Sequence, residues 1–252
     1  MKLLFVGDVN GEDGVRYLAD HIEAIKKQYK INIVVVNGEN AAEGRGITQK
    51  LYKDFMKMGV NVITMGNHTF SNKEIEKLLE EKANIVIPAN YPTHFDNGYL
   101  TIKYNSETIT VINVMGRVYM NLPLECPFKT CEKIINTVKS DYYIIDMHAE
   151  ATSEKIALGY YLDGIKGAIL GTHTHVPTCD ERILDKGTFY ITDVGMTGPL
   201  DGIIGADRDL VTTRFLEAKP TRLVMQKGRM QLNAVVIDFD LNKITRINIK
   251  DN

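Results

Sequence analysis

Apolar residues recur along the chain in short runs, many of them β-branched, at 3–6, 31–36, 60–65, 85–87, 142–145 and 168–170. Runs of this length and composition predict strands buried on both faces. Between them, apolar residues fall at helical spacing over 14–29, 48–58, 71–82 and 152–162, which predicts helices that turn one stripe inward. Ser71-Asn72-Lys73-Glu74 has the pattern of a capping box at the start of the third. In the second half strand follows strand: 99–104 with 108–114, then 222–226, 231–238 and 244–249. Turn formers such as Lys227-Gly228 and Leu241-Asn242 stand between them. The order predicts an α/β protein, a layered sandwich of two mixed sheets flanked by helices. No repeat, low-complexity tract or Pro/Ser-rich linker divides the chain, so one domain over 1–252 is expected.

Composition narrows the class of function. A chain of 252 residues, 44% hydrophobic and 25% charged, can bury a sizeable core. Thirty basic residues against thirty-two acidic ones leave a formal net charge of −2. No broad field is present to hold nucleic acid or an anionic membrane, so neither is expected as a stable partner. The first apolar run meets Asp8 too early for a signal-peptide core or a membrane span, and a cytoplasmic location is the expectation. Cys126, Cys131 and Cys179 are odd in number and lack CxxC spacing, so they suggest neither a disulfide framework nor a zinc knuckle.

The polar residues that follow the apolar runs carry the chemistry. They read Gly7-Asp8-Val9-Asn10-Gly11, Asn37-Gly38-Glu39-Asn40, Gly66-Asn67-His68, Asp146-Met147-His148-Ala149-Glu150 and Gly171-Thr172-His173-Thr174-His175. In parallel α/β sheets ligands bind outside the carboxyl ends of the strands, so five distant segments can converge at one edge. Together they offer Asp8, Glu39, Asn40, Asn67, His68, His148, His173 and His175. That set of imidazoles and hard oxygen donors, without thiolate, suits iron, manganese or zinc. Taken singly, an Asp or Asn after a strand is ordinarily a turn residue or a cap, and a lone His an ordinary polar residue. His21 and His94 keep that reading. The group does not, because four of the six histidines sit at strand ends and two of them form an HxH.

In these residues the chain resembles the calcineurin-like metallophosphoesterases, whose signature runs D-x-H, G-D-x-x-D, G-N-H-[DE], a lone H and G-H-x-H. Asn10, Glu39 and Thr69 depart from that signature. The departures are those of the YmdB branch, which the chain resembles over nearly its whole length through NGEN, TMGNH, HAEATSEK, GTHTHVPT and YITDVGMTGP. The resemblance implies a four-layer α-β-β-α sandwich with a dinuclear centre, most often assigned as iron. It places one ion on Asp8, Glu39, Asn40 and His175, the other on Glu39, Asn67, His148 and His173, and makes His68 the general acid. It implies hydrolysis of phosphodiesters, including 2',3'-cyclic and 3',5'-cyclic nucleotides, and leaves room for a homo-oligomer, since many similar enzymes self-associate.

Two ions about 3.5–4 Å apart can clamp a phosphate and activate the water between them, and a positioned His can protonate the departing oxygen. Two other readings use the same residues: a phosphomonoesterase such as a nucleotidase, and a metal-containing regulatory protein that binds a nucleotide or RNA end with slow hydrolysis. Glu150, Thr152, Arg45 and Arg117 stand near the motifs, where contact with phosphate and a merely structural role are both open. Residues 195–199 lack the GK[ST] of a phosphate loop and are expected to form a structural turn. Met115, Tyr119 and Met120 are expected in the core.

Overall fold

In the computed structural model, which describes residues 1–222 and 224–252, the β-branched runs become strands buried on both faces. In β3 (Ile33–Asn37), Val34 and Val36 enter one core while Ile33 and Val35 enter another, the alternation that a strand imposes. β1 (Lys2–Val6) divides in the same way, Leu4 and Val6 against Leu3 and Phe5. β8 (Tyr142–His148) shares Tyr142 and Ile144 with the second of these cores and sends Tyr143, Ile145 and Met147 into a third. Three cores separate four layers, the α-β-β-α sandwich that the resemblance implies.

The first sheet runs β2 (Asp8–Val9), β12 (Met196–Pro199), β13 (Met230–Asp238), β1, β3, β4 (Val62–Thr64), β5 (Ile85–Val86), with β14 (Lys243–Lys250) along the other side of β13. β1, β3, β4 and β5 are parallel, and β13 lies antiparallel to β1. The second runs β10 (Arg182–Ile183), β11 (Phe189–Ile191), β9 (Gly167–Thr172), β8, β7 (Glu107–Met115), β6 (Tyr99–Tyr104), parallel except for its edge strands. α1 (Gly11–Tyr29), α2 (Gln49–Lys57) and α3 (Glu74–Glu80) pack on the first sheet through Leu18, Ile22, Leu51, Phe55, Ile75 and Leu78. α4 (Pro127–Thr137) and α5 (Thr152–Tyr161) cover the second through Cys131, Ile134 and Leu158. α6 (Arg208–Glu217) buries only Val211.

Several local expectations change. The capping box at 71–74 does not form. Ser71 closes a 3-10 turn, Thr69–Ser71, and the side chain of Asn72 accepts the N–H of Glu74 instead. Gly195 makes a turn at φ +88°, but 196–199 continue as β12, whose parallel pairing with β2 sets Met196 opposite Asp8. The predicted strand at 222–226 reduces to a bridge between Met225 and Ala206, and residue 223 lies outside the described residues. Met115 and Met120 are buried as expected, whereas Tyr119 is exposed. Among the described residues, no helix is long and apolar enough to cross a membrane.

Candidate metal centre

Because the central strands of each sheet are parallel, their carboxyl ends share an edge, and the polar segments that follow them meet there. The first sheet supplies Asp8 from β2, Glu39 and Asn40 from the turn after β3, and Asn67 and His68 from the turn after β4. The second supplies His148 as the last residue of β8, with His173 and His175 following β9. Asp8, Glu39, Asn40 and His148 are buried, and the others are partly so.

The imidazoles are oriented from outside the cluster. His175 Nδ1 lies 2.8 Å from the carbonyl of Ile204, which can only accept, so that nitrogen carries the proton and Nε2 turns inward. There it meets Asn40 Nδ2 at 3.1 Å and Asp8 Oδ1 at 3.8 Å. His148 Nδ1 lies 2.9 Å from the hydroxyl of Thr172, which donates to Asp146 Oδ1 at 2.6 Å and is thereby left to accept from the ring. His148 Nε2 then faces Asn67 Oδ1 at 2.9 Å, Glu39 Oε1 at 3.2 Å and His173 Nδ1 at 3.1 Å. His173 sets its outer Nε2 3.2 Å from Glu150 Oε2. Each ring thus has one nitrogen on an outer acceptor and the other in the cluster. This is the arrangement found around imidazoles that bind metals, where the outer partner fixes the tautomer and raises basicity.

The oxygens fit the same use. Asp8 Oδ1 is buried without a hydrogen-bond partner, while Oδ2 accepts the N–H of His173 at 3.1 Å. Ligand atoms of Glu39, His148 and His173 lie within 4.8 Å of one another. Burial pushes the Asp8 carboxyl upward, and His175 and His148 only partly offset it. Burial acts in the same direction on Glu39, but His148 and His68 outweigh it and hold that carboxyl well below the ordinary range. Burial lowers His148, yet Glu39 and Asp8 override it and push the ring up to about 9; His173, buried beside that ring, falls to about 3. A buried carboxyl oxygen without a partner, set among imidazoles anchored from outside and amide oxygens, is a cation site in its chemistry.

His68 is placed differently. Its N–H reaches Glu39 Oε2 at 2.9 Å and its Nδ1 lies 2.7 Å from Asn40 Oδ1, so the second ring nitrogen is not used by these contacts. Of the neighbouring candidates, only Glu150 meets a site imidazole. The side chains of Arg45 and Arg117 are exposed, and Arg117 instead gives its backbone N–H to the buried Glu154. His21 bonds the carbonyl of Tyr17 within α1, and His94 packs on Phe95. The supporting residues Asp146, Thr172, Lys155 and Asp193 all stand within or beside the motif segments, Lys155 ending HAEATSEK and Asp193 inside YITDVGMTGP, but no spacing in the sequence pairs them. The anchoring role of Asp146 and Thr172 needs the register of β8 on β9.

Two mixed sheets between helical layers, with imidazoles, amides and carboxylates gathered at the strand ends of both, define a protein with the metallophosphoesterase-like fold. The chain belongs to the YmdB-like family, whose family model, described as YmdB-like protein, matches residues 4–251. It is 45% identical over 259 residues to the 2',3'-cyclic-nucleotide 2'-phosphodiesterase of Bacillus subtilis (strain 168), covering 100% of this chain and 98% of that one. Among solved structures it is similar to a hypothetical protein from Thermus thermophilus, with TM-score 0.94, 39% identity and full coverage of both chains. It is also similar to a novel phosphatase from Mycoplasma pneumoniae, with TM-score 0.91 and 35% identity over 100% of this chain and 93% of that one.

Proposed function

We propose that the protein is a metal-dependent phosphodiesterase that opens 2',3'-cyclic nucleotides, and that Asp8, Glu39, Asn40, Asn67, His148, His173 and His175 hold its metal. The observation that carries the reading is the set of three outward-anchored imidazoles, whose inner nitrogens converge on the oxygens of Asp8, Glu39 and Asn67. The relationship to the Bacillus subtilis enzyme supplies the substrate class. Glu39, between His148 and Asn40, is the residue best placed to serve two ions, one with Asn40, Asp8 and His175 and the other with Asn67, His148 and His173. Iron is the expected metal, with manganese and zinc accepting the same donors. Bound there, the ions supply Lewis-acid stabilisation of the phosphate and a nucleophilic water at neutral pH.

The chain's own part is orientation and proton transfer. Water adds to phosphorus, one P–O bond of the cyclic diester breaks, and the leaving oxygen needs a proton. Asn40 Oδ1 holds the imidazole of His68 at Nδ1 while Glu39 Oε2 accepts its backbone N–H, which leaves the second ring nitrogen free to deliver that proton. The test measures hydrolysis of 2',3'-cAMP, 3',5'-cAMP, bis(p-nitrophenyl) phosphate and p-nitrophenyl phosphate, with metal quantified in the same samples. His68→Ala is expected to lower turnover on the diesters by about 10²- to 10⁴-fold with metal content unchanged. Loss of metal in that variant would make His68 a ligand, and preferred cleavage of the monoester would favour a phosphomonoesterase.

A further inference from the structure

We infer that the buried ion pair Lys155–Asp193 positions the His173–His175 turn and thereby sets the affinity of the centre for its metal. This rests on the metal reading proposed above. Lys155 on α5 and Asp193 after β11 are each 1% exposed at the side chain, and Lys155 Nζ lies 2.6 Å from Asp193 Oδ2. A buried pair of this kind is weak support for stability, since a well-packed apolar pair commonly does as well or better. What it does here is grip backbone. Lys155 Nζ also donates to the carbonyl of Thr172 at 2.7 Å. Asp193 Oδ2 accepts both the N–H of Thr174 at 3.2 Å and its hydroxyl at 2.7 Å, and Oδ1 accepts the N–H of Gly195 at 2.8 Å. Asp8 takes the N–H of His173 between them. Each of the successive residues 172, 173 and 174 is therefore tied down by a buried charged group.

The turn needs that restraint. His173 and His175 have φ of +96° and +65°, the left-handed region that residues with a Cβ rarely occupy. Such backbone persists only where its surroundings over-determine it, and it clusters where strain serves a site. Two non-glycine residues at positive φ flank Thr174, and Thr174 carries two bonds to Asp193. Released, the turn can relax toward ordinary dihedrals and swing both imidazoles off the cluster. The hydroxyl of Thr174 is the bond in this network that can be deleted without stranding a buried charge.

The experiment measures Mn2+ affinity by electron paramagnetic resonance against a competing chelator, with thermal unfolding of the metal-free protein alongside, for wild type, Thr174→Val and Thr174→Ser. Thr174→Val is expected to weaken Mn2+ binding by about 10- to 100-fold, the usual cost of losing an outer partner of a metal site. Its metal-free melting temperature should stay at the wild-type value, and Thr174→Ser should restore affinity. Folded Thr174→Val with wild-type affinity would overturn the inference and leave the metal reading intact. Equal loss in Thr174→Ser would also overturn it, since the hydroxyl would then not be the cause. A wild-type protein that binds no Mn2+, Fe2+ or Zn2+ would remove the metal reading, and this inference with it.

Discussion

Gly66 shows how closely the backbone approaches the cluster. A Cβ at this position would collide with Glu39 Oε2 and with His148 Nε2 at once. Both atoms belong to fully buried side chains that cannot swing away. Gly66→Ala is therefore expected to displace the two residues that form the middle of the site, lowering metal content by at least about tenfold in a chain that still folds. Metal analysis beside circular dichroism checks it, and an alanine variant with full metal content would show that the cluster is looser than its contacts imply. At this scale most of the candidate site is legible in the sequence. Asp8, Glu39, Asn67 and His173 each follow an apolar run with a glycine just before or nearby, a local signal. Lys155 and Asp193 carry no such signal. They lie thirty-eight residues apart, and only the packing of α5 against β9 and β11 makes them partners. The outer partner of His175 is a backbone carbonyl, that of Ile204, which no side-chain pattern can announce.

Between elements, the pairing of β1 with β13 gives a restraint that responds to acid. Lys2 stands opposite Asp238 in the register, with Nζ 2.9 Å from Oδ2. Burial works to raise the Asp238 carboxyl, but the Lys2 bond and the N–H groups of Leu241 and Asp240 outweigh it and hold the group below its ordinary value of 3.8. A group depressed on folding stabilises the native state above its unfolded value and loses that contribution as pH falls through the folded one. Asp238→Asn keeps an acceptor for the turn and removes the charge. Its urea midpoint should fall below wild type at neutral pH, and the gap should close as pH drops below 3.8. A gap independent of pH would mean that shape rather than charge is responsible. Elements of this central kind are legible because their apolar residues alternate or repeat. α6 is not, since it buries only Val211 and exposes Phe215 and Leu216, leaving no apolar stripe to read. β2, β10 and β12 are two to four residues long, too short for periodicity, and exist through pairing with distant partners. Residues 195–199 depart from the expected turn for that reason.

Across the whole molecule the site is also a junction between the two sheets. Asp8, Glu39, Asn40 and Asn67 belong to the first, and His148, His173 and His175 to the second. Beneath them Asp146 of β8 takes hydrogen bonds from Asn37 and Thr64 of the first sheet, at 2.9 and 2.5 Å. Burial raises its carboxyl to about 6 against the pull of His148 and Thr172. A cation held by donors from both layers has no comparable site in the unfolded chain, so its binding free energy adds to the stability of the sandwich. At free metal about one hundred times Kd the addition is about 2.7 kcal/mol, which corresponds to roughly 5 to 10 °C in melting temperature for a chain of this size. Removal of metal by a chelator should lower the melting point by that order, and restoring metal should bring it back. His173→Ala withdraws a donor of the second sheet and should lose the metal-dependent shift while its metal-free melting point stays near that of wild type. A wild-type melting point indifferent to chelator in a metal-loaded sample would mean that the ions bind the native chain no better than the unfolded one. The junction would then be the work of Asp146, Asn37 and Thr64 rather than of the metal.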